Sequence, residues 1–203
     1  YVSLPKAGQV AVLPDHDRDG VADRIMVFAD GLDRPHGLAF SGDVLVAAEN
    51  RRLVKLPDLD GDLKADREQR LSTDLPSGGG HWTHSLVIGT DGVYYISAGS
   101  SCNVCEEKDP RRAAALLIKK DGGPAEIYAR GLRNSAGLAR HPRTGELWAS
   151  NNGLDRLGDD LPPEEINRIV AGGRPVAPAV GPDGALYLSD DRQGVVYRIT
   201  AKE

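Results

Sequence analysis

The chain has 203 residues, a mass of 21.7 kDa and a formal net charge of −5. That length suits one domain, here expected over residues 1–203, and the acidic balance excludes a broad basic surface for nucleic-acid phosphates. No apolar run approaches the roughly 18–20 residues that cross a bilayer, so no membrane-spanning helix is expected. With 24 glycines and 13 prolines, one Met and two Phe, the composition favours many short strands joined by turns.

The chain opens at Tyr1 in YVSLPKAGQVAVLPD, which reads as strand from its first residues. It carries no initiator Met or signal peptide, as expected of a processed or shortened chain. Leu13-Pro14-Asp15-x-Asp17-x-Asp19 then recurs 43 residues later as Leu56-Pro57-Asp58-x-Asp60-x-Asp62, and Ala22-Asp23-Arg24 recurs as Ala65-Asp66-Arg67. A period in the low forties is the size of one supersecondary unit. A second pattern interleaves with it, an apolar strand, a glycine turn and another apolar strand: HGLAFSGDVLVAAE, HSLVIGTDGVYYISAG, AGLARHPRTGELWASNNG and APAVGPDGALYLSDD. Its turn glycines are Gly42, Gly92, Gly145 and Gly184. Third strands follow as RLVKL, ALLIKK, INRIV and VVYRI, and outer strands as RIMVFA, REQRLS and EIYARG. Four-stranded units at this period predict an all-β propeller of about four to five blades, the first strand of each lining a central channel. The N-terminus supplies strands two to four of a blade, the third unit lacks its outer strand, and the ring is expected to close between the termini.

Two constellations stand out within this frame. The loops DHDRDGVAD and DLDGDLKAD offer Asp15, Asp17, Asp19 and Asp23, and Asp58, Asp60, Asp62 and Asp66. Alternate carboxylates with a glycine can wrap oxygen ligands around Ca²⁺. Neither loop has the twelfth-position Glu of an EF-hand, and the glycine moves from position six to position four. A structural Ca²⁺ site and a solvated acidic turn are both open readings. Cys102 and Cys105 in SSCNVCEE form either a short-loop disulfide or two free thiols. Glu106 stands where a haem attachment needs His, and no second ligand pair is spaced for zinc. His16, His36 and His141 lie in turn-rich positions and receive no role, and His84 and Trp82 are expected to pack.

Four blocks resemble the soluble PQQ-dependent sugar dehydrogenases, nearest the sorbosone or aldose sugar dehydrogenase branch: LVIGTDGVYYISAGSSCNVCEE, ARGLRNSAGLARHPRTGELWASNNG, LGDDLPPEEINRI and GRPVAPAVGPDGALYLSDDRQGVVYRI. The resemblance implies a six-bladed propeller that binds pyrroloquinoline quinone (PQQ) and Ca²⁺. It implies oxidation of aldose sugars, an external electron acceptor and a periplasmic or secreted location. His81, five residues before the Leu of L-x-x-G-x-D-G, matches the family's catalytic base. Arg133 and Asn134 match the pair that holds the quinone, Gly153 the residue whose carbonyl reaches the site calcium, and Arg174 a further cofactor-binding Arg. Ala136 stands where the glucose-oxidising branch has Gln, and Ser100 where it has an Asp beside the base. A long segment that the family places between INRIV and GRPV, with a cofactor-binding Lys and much of the sugar pocket, is absent here. Two other functions compete: a non-catalytic, calcium-stabilised propeller that binds a sugar or protein partner, and a lactonase-type propeller hydrolase with a channel metal. RN-x-x-GL and SSCN favour the dehydrogenase over the hydrolase, and the missing segment favours the non-catalytic propeller.

Overall fold

The computed structural model describes residues 1–153, 155 and 165–173, together with the backbone of three strands at 179–180, 186–190 and 195–199. The described residues form five antiparallel sheets and no helix, so none is long and apolar enough to cross a membrane. The first sheet is β1 (Val2–Leu4), β2 (Gln9–Val12) and β3 (Met26–Ala29) in that order. The second is β4 (Leu38–Ser41), β5 (Val44–Ala48), β6 (Leu53–Leu56) and β7 (Gln69–Ser72). The third is β8 (Leu86–Ile88), β9 (Tyr94–Ala98), β10 (Ala114–Ile118) and β11 (Glu126–Arg130). The fourth is β12 (Ser135–Arg140), β13 (Leu147–Asn151) and β14 (Glu165–Ile169), and the fifth is β15 (Ala179–Val180), β16 (Leu186–Asp190) and β17 (Val195–Ile199).

Each sheet is a meander, and successive first strands lie side by side, β4 against β8 and β8 against β12. This is the β-propeller expected from the repeat. As the pattern also required, the N-terminal sheet begins at the second-strand position and the fourth sheet has three strands among the described residues. Gly42, Gly92 and Gly145 occupy the turns between first and second strands with φ of 61°, 80° and 75°, where a side chain would be strained. Gly184 lies outside the described residues.

The middle strands bury both faces, and their alternation shows it. In β5, Leu45 and Ala47 pack on the first sheet with Val10, Val12 and Phe28, while Val46 and Ala48 pack on the third with Ile96, Leu116 and Ile118. In β10, Ala115 turns to the fourth sheet, where Leu147, Ala149 and Ile169 meet Ala129 and Leu132. A strand covered on both sides reads as a continuous apolar run, as ALLI and VLVAA do. Innermost strands differ: Ala136 and Ala139 of β12 are exposed, and Phe40 of β4, 50% exposed, meets Tyr1 edge-on with ring centres 5.2 Å apart.

Leu116, fully buried between the second and third sheets, should cost about 2–5 kcal/mol when cut to Ala. Its neighbour Leu117 is half-buried and should cost clearly less. Urea denaturation of the two variants checks this, and equal losses would contradict the difference in burial between the two positions.

Candidate functional site

In an antiparallel meander the start of a first strand and the end of a second strand share one edge. His81–Ser85 lead into β8 and Gly99–Ser100 leave β9, while Arg133–Asn134 lead into β12 and Asn152–Gly153 leave β13. All four of these strand ends therefore fall on one rim. Backbone bonds stitch them together. The Ser100 amide donates to the Arg133 carbonyl (2.7 Å), the His81 amide to the Ser100 carbonyl (3.0 Å), and the Asn152 amide to the Asn134 carbonyl (2.9 Å). His81, Arg133 and Asn134, distant in sequence, are thus neighbours, and Gly153 follows directly on Asn152. Arg174 lies outside the described residues. Gly99 permits the approach: a Cβ there would stand 2.5 Å from His81 Cβ and 3.2 Å from Asn134 Oδ1.

The hydrogen-bond inventory fixes the His81 tautomer. Nδ1 lies 2.9 Å from Ser100 Oγ and 3.2 Å from the Ser100 carbonyl. The Ser100 hydroxyl already donates its one proton to the Cys102 carbonyl at 2.7 Å. Oγ must therefore accept, so Nδ1 carries the hydrogen and Nε2 keeps its lone pair. Ser100, where the glucose-oxidising branch has an Asp, is the group that orients the imidazole here.

Arg133 is 11% exposed and its guanidinium is nearly saturated. Nε donates to the Asn103 carbonyl (3.1 Å) and Nη1 to the Asn152 carbonyl (3.3 Å). Nη2 donates to Asn103 Oδ1 and to Asp155 Oδ2, both at 2.6 Å. Asn134 Oδ1 is buried and has no hydrogen-bond partner among the described residues. Cys102 and Cys105 form a disulfide, which closes the loop that carries Asn103.

Arg112 is the rim residue that sequence patterning did not single out. Only 7% exposed, it donates from Nε to the Gly99 carbonyl (3.0 Å). From Nη2 it reaches the carbonyls of Gly79 (2.9 Å), His81 (3.2 Å) and Ser100 (3.1 Å). One buried cation thus gathers both chain segments that carry His81 and Ser100. The only available signal was an arginine abutting the buried run of β10. His84 and Trp82 pack, as expected: His84 is 2% exposed with Nδ1 on the Ser97 carbonyl (2.7 Å), and Trp82 lies under the Arg34 guanidinium, 4.0 Å from its ring centre.

The acidic loops join third to fourth strands, β2 to β3 and β6 to β7, so they lie on the opposite edge from His81. In each, three carboxylates converge: ligand oxygens of Asp15, Asp17 and Asp19 lie within 4.8 Å of one another, as do those of Asp58, Asp60 and Asp62. Asp23 and Asp66 take equivalent roles at the loop ends, accepting the His16 amide (2.9 Å) and the Leu59 amide (2.6 Å). The displaced glycine has a simple cause. Both loops need two left-handed residues, at Arg18 (φ 62°) and Gly20 (φ 86°) in one and at Gly61 (φ 79°) and Leu63 (φ 65°) in the other. Each loop places its glycine at a different one of the two positions.

The chain belongs to the family described as a domain of unknown function (DUF7133), whose model matches residues 2–173. A protein of Borreliella burgdorferi described as uncharacterized is 43% identical over 76 residues, which is 37% of this chain and 20% of that protein. Among solved structures, a Trichoderma reesei protein of carbohydrate-active enzyme family AA12 matches in an iodide structure at TM-score 0.72 and 19% identity, over 92% of this chain and 58% of that one. Its calcium structure matches at 0.67 and 19%, over 82% and 48%. The PQQ-bound aldose sugar dehydrogenase of Streptomyces coelicolor matches at 0.65 and 17% identity, over 98% and 73%. The holo PQQ domain of a Coprinopsis cinerea pyranose dehydrogenase matches at 0.62 and 17%, over 92% and 46%. Two of these neighbours are thus sugar dehydrogenases with PQQ, and at these identities the likeness shows the propeller fold alone. The chain spans 58% of the length of the Trichoderma chain and a fifth of that of the Borreliella protein.

Burial holds the His84 imidazole below the ordinary histidine range, chiefly by desolvation. A depressed folded value means that His84 contributes stability above the usual range near 6.5 and that this is lost as pH falls through it. The urea midpoint should therefore fall on acidification from neutral pH, and His84→Gln should flatten that slope. An identical slope in the variant would contradict the assignment.

Proposed function

We propose that the rim around His81 binds PQQ with Ca²⁺ and oxidises an aldose sugar, passing electrons to an external acceptor, in the manner of the sorbosone or aldose sugar dehydrogenases. The observation that carries this reading is an imidazole with Nδ1–H committed to Ser100 and Nε2 left basic, beside an Arg-Asn pair. The residues fit such a group on two counts. Arg133 already grips one carboxylate, that of the 69% exposed Asp155, so its donors suit the carboxylates of PQQ. The Asn134 side chain has a buried polar atom still to be met. Arg133 and Asn134 would hold the quinone, Arg174 would add a further cation, and the Gly153 carbonyl would face calcium. When bound, the cofactor supplies the two-electron acceptor and the metal polarises it. The protein's own part is to orient the sugar hydroxyl and to take its proton at His81 Nε2. Ca²⁺ in the acidic loops would be structural, since those loops lie on the opposite edge. The disulfide suits an oxidising compartment, and we assign the protein to the periplasm or the cell exterior.

One observation favours the second reading, a non-catalytic propeller: the charge of Arg133 is already met within the chain by Asp155. Calorimetric titration of PQQ in Ca²⁺, paired with dye-linked turnover of aldoses, separates the two. Arg133→Ala should weaken PQQ binding about 10- to 100-fold. Asp155→Asn, which removes a competing carboxylate, should tighten it. His81→Ala should abolish turnover and leave binding largely unchanged. Wild-type protein giving neither heat nor turnover would move the function to the non-catalytic propeller.

The loop sites have their own test. A cation that binds only the folded state adds RT ln(1 + [L]/Kd), about 2.7 kcal/mol at a hundredfold excess over Kd. EGTA should lower the Tm, and Asp17→Asn with Asp60→Asn should remove most of that response. A Tm indifferent to EGTA would exclude structural calcium.

A further inference from the structure

We infer that the Cys102–Cys105 disulfide loop is the positioning element of the rim, setting the His81 tautomer through Ser100 and the Arg133 guanidinium through Asn103. Both paths start in the same four residues. His81 Nδ1 lies 3.2 Å from the Ser100 carbonyl, which also accepts the His81 amide (3.0 Å), and 2.9 Å from the Ser100 hydroxyl. The carbonyl can only accept, so the hydroxyl, which can accept or donate, is the partner able to reverse the tautomer. A hydroxyl rotates freely, and the direction of its proton is set by the Cys102 carbonyl, 2.7 Å away. With that carbonyl displaced, the hydroxyl can turn and donate to Nδ1, and the imidazole hydrogen then moves to Nε2. The proton-accepting nitrogen would be lost without any change to His81 itself.

Asn103 lies between the two cysteines and holds Arg133 twice, through its backbone carbonyl (3.1 Å) and through Oδ1 (2.6 Å). It also bridges to the backbone of Asp155, donating from Nδ2 to the carbonyl (3.0 Å) and accepting the amide at Oδ1 (2.9 Å). Beyond these polar contacts and the Ser101 amide donated to Glu107 (2.7 Å), the loop has no packed anchor among the described residues. Asn103, Val104 and Cys105 are exposed, Val104 to 69%, so no apolar burial anchors the turn. The covalent bond closes it instead. A dithiol opens it by two exchange steps: two electrons and two protons pass to the sulfurs of Cys102 and Cys105, and the dithiol is oxidised to its cyclic disulfide. The catalytic meaning of this support rests on the proposed role of His81, whereas the support itself is testable without cofactor or sugar.

The test is long-range ¹H–¹⁵N correlation of the His81 ring at mildly alkaline pH, with hydrogen exchange of the Arg133 Nε–H, in oxidised protein, after dithiothreitol, and in Cys102→Ser/Cys105→Ser. Oxidised protein should show Nδ1 protonated and a protected Arg133 Nε–H. Reduced protein and the double variant should show mixed His81 tautomers and about tenfold faster Arg133 exchange or more. Ser100→Ala should move the His81 signal alone, and Asn103→Ala the Arg133 signal alone. Backbone signals of β8 to β10 should stay in place throughout. An unchanged tautomer and unchanged protection after reduction would overturn the proposal, as would loss of the β8 to β10 signals, which would make the disulfide a general staple. Failure of PQQ to bind the wild type would sink the dehydrogenase and leave these results standing.

Discussion

The middle strands of this protein bury both of their faces, so no sheet is complete by itself. Val46 and Leu45 sit next to each other in β5 and belong to different cores, one shared with the third sheet and one with the first. The same holds in β10, where Leu116 and Ala115 face opposite neighbours. A sheet of three or four short strands with two apolar faces has one way to keep both from water, which is to stand between two others. Stacking sheets about an axis leaves their innermost strands less covered, as the exposed Ala136 and Ala139 of β12 show. The rim is the edge of this stack, where strand ends from neighbouring sheets are forced close together.

Forced proximity creates a problem of its own. Strand ends expose carbonyls that no ladder satisfies, and at a buried rim water cannot serve them all. Arg112 answers this with one guanidinium that reaches the carbonyls of Gly79, His81, Gly99 and Ser100. The cation is buried and needs acceptors; the carbonyls are crowded and need donors. Glu107, 4.0 Å from Arg112 Nε and tied to the Ser101 amide (2.7 Å), balances the charge from the loop side. The segment before β8 and the segment after β9 are thereby locked as one unit, and the geometry of His81 follows from that lock.

The fold was legible in the sequence because its determinants are local and repeated. The 43-residue recurrence located the acidic loops, and three of the four turn glycines fall at positive φ between first and second strands. The proximity of His81, Arg133 and Asn134 was legible in outline, since each lies at a comparable point of its unit. The bonds that define the site were not. Arg112 reaches Gly79 across 33 residues, and Asp155 meets Asn103 across 52. No periodicity encodes such pairs. The cysteines were open to two readings because spacing alone does not say whether two thiols face each other. Ser100 looked like a departure from the glucose-oxidising branch's Asp, and only the Cys102 carbonyl reveals what the hydroxyl does.

That replacement has an electrostatic consequence for the proposed chemistry. A carboxylate beside a catalytic imidazole both orients it and stabilises the imidazolium formed when a proton arrives. A serine hydroxyl can orient but carries no charge. Described carboxylates at the rim are already engaged: Asp155 by Arg133, Glu107 by the Ser101 amide beside Arg112, and Glu165 by the Asn151 and Asn167 side chains. A proton gained at His81 would therefore add a positive charge beside two buried or nearly buried guanidinium groups, with the nearby carboxylates already engaged elsewhere. In a partly desolvated site the neutralising charge has to come from whatever occupies the rim. A ligand bearing several carboxylates supplies it, whereas a neutral sugar alone does not. If the His81 chemistry operates, the anionic character of the bound group is thus part of the base's own environment, taking over the task that Ser100 cannot perform.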